Sequence, residues 1–150
     1  MPGVERCHLP RRGRPGKPQY RHLRRAFKGD GKGIEERPQA ANTREEAGHW
    51  KMDCMLSGRG KSKMCLLVLS ERKHREVIVR ILRSATAESV VNTLDCLERK
   101  SGAKAFRKRF KSITMDNGSE FSDWRSLERS CLTGKKRTST YYCHPYSAWE

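Results

Sequence analysis

The sequence predicts an α/β domain, a mixed β-sheet with crossover helices in the order β-β-β-α-β-α-β, preceded by a basic arm. Three observations predict it. Strand-like patterns fill residues 49–82 and return at 110–116 and 138–143. Helical periodicity occupies 86–102 and 122–132. Residues 1–37 carry neither pattern, and at 150 residues the chain has room for one core of ordinary size.

The arm comes first. Residues 1–37 hold eleven Lys and Arg against four acids, and six of the twelve glycines lie within 1–38. Such a segment buries too little apolar surface to offset its chain entropy, so 1–37 is expected to be a disordered basic arm or linker, with the folded core at 38–150. Within it "RRGRPGKP" (11–18) contains Arg-Gly-Arg-Pro. This resembles the core of an AT-hook, in which extended arginines, here Arg12 and Arg14, enter a narrow A·T minor groove.

The sheet elements follow. "HWKMDCML" (49–56) alternates, with Trp50, Met52 and Cys54 on one face and Lys51, Asp53 and Met55 on the other. The loop "SGRGKSK" suits a hairpin connection. "MCLLVLS" (64–70) is an apolar run of strand length and "REVIVRIL" (75–82) is rich in β-branched residues, so the first three strands read as an antiparallel meander. "TAESVVNTLDCLERKSG" (86–102) spaces Val90, Val91, Leu94 and Leu97 for a helix capped by Thr86 and ended by Gly102. The strand "FKSITMD", an amphipathic helix over 122–132 and the strand "TSTYYC" (138–143) complete the order.

Composition narrows the function classes. A net charge of +16 attracts polyanions, of which nucleic acid is the commonest. No apolar run approaches the roughly 20 residues of a membrane helix, and the N-terminus lacks the apolar stretch of a secretory signal, so a cytoplasmic chain without a membrane partner is expected. The six cysteines include no C-x-x-C pair, which argues against a zinc ribbon or a disulfide framework. They are expected to be reduced, mostly buried and apolar in role.

Two acids stand out. Asp53 lies within the first strand and Asp116 ends the fourth, running into Asn117-Gly118. The meander grows away from one side of the first strand, which leaves the fourth free to pair on the other and bring both acids to one edge. Two carboxylates without a cation resist ionisation together, whereas a divalent ion between them makes the pair favourable. Oxygen ligands of this kind suit Mg²⁺, and ions so placed can serve phosphodiester chemistry. Taken singly, each Asp reads as a turn former or a surface acid rather than a ligand, and only their joint placement changes that.

The blocks "IEERP" (34–38), "GHWKMD" (48–53), "LLVLSERK" (66–73), "SITMDNGSEF" (112–121) and "YYCHPYSAWE" (141–150) together resemble the catalytic domain of the IS-thirty family of bacterial transposases. The resemblance implies a ribonuclease H-like fold, Mg²⁺- or Mn²⁺-dependent cleavage and strand transfer of double-stranded DNA, and a homo-oligomer acting at the bacterial nucleoid. It implies that Asp53 and Asp116 are the first two acids of a DDE triad. The third would follow the "PYS-W" block, so the chain is expected to be a C-terminally truncated, partial or inactive core that stops short of it, with Glu150 beside the position rather than on it.

Basic residues complete the reading. Lys51 either holds a phosphate near the acids or faces solvent. "KAFRKRFK" (104–111), read as a helix–strand connection, places Lys104, Arg107, Lys108 and Arg109 between Phe106 and Phe110, as a DNA-backbone contact or as a solvated face. The alternative to an enzyme is a basic DNA-binding remnant that holds DNA through the arm, competing with a full-length transposase without cutting.

Overall fold

A computed structural model describes residues 30–56 and 62–144. Arg12, Arg14, the AT-hook-like stretch and Glu150 lie outside the described residues. The elements are α1 (Gln39–Thr43), β1 (His49–Leu56), β2 (Cys65–Glu71), β3 (Val77–Leu82), α2 (Ala87–Ser101), α3 (Ala103–Arg109), β4 (Ser112–Met115), α4 (Trp124–Glu128) and β5 (Ser139–Tyr142). The sheet order is β3-β2-β1-β4-β5. β1, β2 and β3 are antiparallel neighbours, and β4 and β5 run parallel to β1. This is the mixed sheet expected, in the strand order and directions of the ribonuclease H-like fold.

The alternation in β1 sets the layers. Trp50 and Met52 face a core shared with Leu67 and Leu69 of β2, Ile113 and Met115 of β4, Val90 and Leu94 of α2 and Phe106 of α3. Burying side chains of this size stabilises the fold by about 1.5–3 kcal/mol each before entropy is counted. A parallel β1–β4 pair requires a crossover, and α2 and α3 supply it. Thr86 caps α2 by accepting from the Ser89 amide (3.3 Å), and Gly102 ends it at φ 80°. On the opposite face His49 and Ser112 share a hydrogen bond of 2.7 Å.

Four details differ from expectation. The stretch 104–111 is mostly helical, since Phe106 buries against α2 and Arg137. The helix expected over 122–132 stops at Glu128 because its last carbonyls are taken. Arg137 donates to the carbonyls of Ser126 (3.2 Å) and Leu127 (2.9 Å), while the Ser130 and Cys131 amides turn to Lys135 O and Glu98 Oε2. Residues 30–37 pack on the sheet: the Tyr142 amide donates to Lys32 O, and Arg37 donates to Thr114 Oγ1 at 3.2 Å. Finally, Cys65 and Cys143 are buried, but Cys54 is half-buried and Cys96 and Cys131 are exposed.

Candidate carboxylate site

Register brings the two acids together. Along the parallel β1–β4 pair the last partners are Met52 and Met115. Asp53 and Asp116 are each the next residue, so continued pairing sets their Cα atoms roughly one strand spacing apart, about 5 Å. Alternation within β1 puts Asp53 on the sheet face opposite Met52, and Asp116 is the first residue past β4. Asp53 is exposed and Asp116 half-buried.

Local hydrogen bonds orient both carboxylates. The Cys54 amide donates to Asp53 Oδ1 (2.8 Å), and the Gly118 amide donates to Asp116 Oδ1 (3.0 Å). The second bond is the Asx turn that ends β4. Among the described residues neither acid forms an ion pair. Asn117 Nδ2 donates to Cys143 O (2.7 Å) and ties this loop to the end of β5. Gly118 has an ordinary φ of −66°, so its role is space rather than backbone freedom.

Glu120 adds a third carboxylate that the sequence reading left unassigned. A Cβ at Gly118 would lie 2.7 Å from Glu120 Cδ, so Glu120 folds back on the same backbone that Asp116 grips. Burial, with the negative charges of Glu120, Cys65 and Asp53 adding to it, pushes the Cys54 thiol up to about 12. That thiol stays protonated and offers no soft ligand. An oxygen donor set at a partly exposed edge fits Mg²⁺ or Mn²⁺ rather than zinc.

A different group has the tighter geometry. Asp95, Glu98 and Cys131 offer ligand atoms within 4.8 Å of one another. Arg137 already occupies the centre, donating to Asp95 Oδ1 (2.6 Å) and Glu98 Oε2 (3.0 Å), so the cluster is an ion-pair network that holds α2 to the approach to β5.

The predicted basic residues divide. Lys51 sits two residues before Asp53 on the same face and is half-buried. Lys104, Arg107, Lys108 and Arg109 are exposed on α3, at the end of the strands where β4 begins. Trp50 Nε1 donates to Arg109 O (2.7 Å), and Arg109 pairs with Glu76 and lies over the Trp50 ring at 5.6 Å. From Lys111 to Asp116 is about 17 Å of strand, so α3 and the acids occupy opposite ends. Sequence reasoning missed a cationic group at the His49 end of β1, where Arg72 Nε donates to Ala41 O (3.0 Å). Burial, with the charges of Arg37 and Arg44 nearby, lowers Arg72 from the usual arginine value.

A comparison with curated proteins agrees with the transposase resemblance. No protein-family model matches the chain. Over 121 residues, 80% of this chain, it is 34% identical to a probable transposase for the insertion-like sequence element IS1161 of Streptococcus salivarius. The chain spans 31% of that relative's length. A crystal structure of the catalytic core domain of BIV integrase overlays with a TM-score of 0.47 at 19% identity, covering 68% of this chain and 58% of that one. Among the described residues no helix is long and apolar enough to cross a membrane.

Proposed function

We propose that this chain carries the first two acids of a DNA-transposing nuclease centre, with Asp53 and Asp116 as the ligands of Mg²⁺ or Mn²⁺. The observation that carries the reading is the β1–β4 register, whose last partners Met52 and Met115 immediately precede the two acids, each with one oxygen held by a backbone amide and, among the described residues, no ion pair. Asp53 and Asp116 would hold a divalent ion, which would supply the Lewis-acid chemistry of phosphodiester cleavage and strand transfer; Glu120 would add negative charge, and Lys51 would steady a phosphate on the approach. Double-stranded DNA at element ends and targets is the substrate, and a homo-oligomer brings two ends together. The relationship to a probable transposase supports this choice among polyanion-binding functions.

The test is calorimetric. Mg²⁺ and Mn²⁺ are titrated into the folded wild type and Asp116→Asn, and the variant is expected to lose most of the affinity. Equal affinity in both proteins removes Asp116 as a ligand. Incubation with element-end DNA then separates cutting from holding: nicks that disappear in Asp53→Asn support cleavage. One observation favours the binder alternative: the exposed cations of α3 lie at the opposite end of the strands from the acids, so DNA bound to them would not be presented to the carboxylates. Binding without nicks under both metals would select it.

A further inference from the structure

A cleft of about 380 Å³ opens between α3 and the turn that precedes β5, lined by Arg107, Lys111, Lys135, Lys136, Arg137 and Thr138. No carboxylate is among its lining residues. Arg137 is neutralised by Asp95 and Glu98, Lys111 pairs with Glu46 (2.5 Å), and Lys136 with Glu128 (3.2 Å). Arg107 and Lys135 form no ion pair among the described residues, and both are exposed. The cleft therefore carries uncompensated positive charge contributed by two separate elements.

Its floor holds an unusual group. Thr138 is 4% exposed, and its Oγ1 is the one buried side-chain polar atom among the described residues without a hydrogen-bond partner. Leaving a buried hydroxyl unpaired costs about 1–3 kcal/mol. An oxyanion in the cleft would supply the partner once the Thr138 side chain turned about χ1. The surrounding backbone is fixed in advance. Lys136 bridges Arg129, the Ser130 amide donates to Lys135 O (2.8 Å), Gly134 takes a φ of 68°, and the Ser139 amide donates to Lys111 O (3.2 Å).

We infer that this cleft is a second anion site, one that grips the phosphodiester backbone of duplex DNA at the end of the sheet remote from the carboxylates. Cations raised on a preformed turn around an unpaired hydroxyl suit phosphate oxygens, and they carry no base-reading geometry. The inference shares DNA as ligand with the proposed function but needs no metal, so it is tested in EDTA, where loss of the metal centre cannot affect the result.

The assay is fluorescence anisotropy of the full chain with a 5′-labelled duplex of about 20 base pairs across a chloride titration. Each phosphate contact contributes about 0.9 to the slope of log K against log salt, or roughly 8-fold in affinity at 0.1 M. Arg107→Gln/Lys135→Gln is expected to shallow the slope by about 2 and weaken binding by on the order of 50-fold. Arg80→Gln/Arg83→Gln, the same charge change on the far edge strand and just beyond it, is expected to do much less. Thr138→Val is expected to leave the melting temperature equal or higher while weakening DNA binding several-fold. It decides the question by itself if the charge variant fails to fold. A cleft variant that binds like wild type, a control with the same loss, or a Thr138→Val protein with unchanged affinity overturns the proposal. Full displacement of DNA by inorganic phosphate at matched ionic strength overturns the assignment to a backbone in favour of a free anion.

Discussion

Replacing Arg137 by Met tests the network that seats β5 beside β4. The guanidinium is buried and donates to Asp95 Oδ1, Glu98 Oε2, Ser126 O and Leu127 O. Its removal leaves Glu98, which is fully buried, with only Ser130 Oγ (2.5 Å) and the Cys131 amide (3.0 Å) against its charge. Breaking a buried pair from one side costs about 3–5 kcal/mol, mostly the penalty of the charge left behind. For a folded part of this size, roughly 4 °C of melting temperature accompanies each kcal/mol, so a drop of about 15 °C is expected. Urea denaturation of wild type and variant gives the free-energy difference, and the double variant Arg137→Met/Glu98→Leu identifies its source. If the unpaired charge is the cause, removing Glu98 as well recovers much of the loss. A single variant within about 1 kcal/mol of wild type refutes the network as a stabilising element, and a double variant no better than the single assigns the loss to packing.

Two further predictions follow from the same part of the fold. Burial pushes the Glu98 carboxyl up, but hydrogen bonds from Ser130, Cys131 and Arg137 outweigh it and hold the group below its ordinary value of 4.5. A depressed folded value means that this contribution is intact above about 4.5 and disappears as pH falls through the lower folded value. The urea midpoint should therefore be flat through neutral pH and drop in acid, with a shallower acid limb in Glu98→Gln; an unchanged limb excludes Glu98 as its source. Gly48 stands at φ 101°, and a Cβ there would meet Lys111 Cγ at 3.1 Å and Arg109 O at 3.3 Å, so Gly48→Ala should cost about 1–2 kcal/mol. A melt indistinguishable from wild type would refute the strain.

The local code carried most of the fold. β1 appears with the alternation read from "HWKMDCML", and α2 begins and ends at Thr86 and Gly102. β4 lies beside β1 because the meander leaves that side open. What the local code could not carry depends on distant partners. The helix at 124–128 is cut short by a guanidinium from residue 137, and Arg37, grouped with the arm by composition, is buried, donating both to Asn42 and to Thr114, 77 residues later in the chain. Of the candidate site, the level placement of Asp53 and Asp116 was legible from the alternation of "HWKMDCML" and from the turn that closes "SITMD". Glu120 was hidden inside its own turn motif, and the cleft cations were hidden because Lys135 and Lys136 read as a loop until β5 places them opposite α3.

The same sheet explains why opposite charges coexist in a chain of net +16. Because β1 and β4 are parallel, Asp53 midway along β1 comes level with Asp116 just past the end of β4, while the crossover through α3 must re-enter at the other end and delivers Arg107 and Lys111 there. Some 17 Å of strand separates them, about twice the screening length at physiological salt. At that distance the two ends act on a ligand almost independently, so cations at one end neither neutralise the acids nor relieve their mutual repulsion. On the proposed reading a divalent ion would be the partner of the two acids, and DNA held in the cleft would influence that end through where it directs the duplex rather than through its charge.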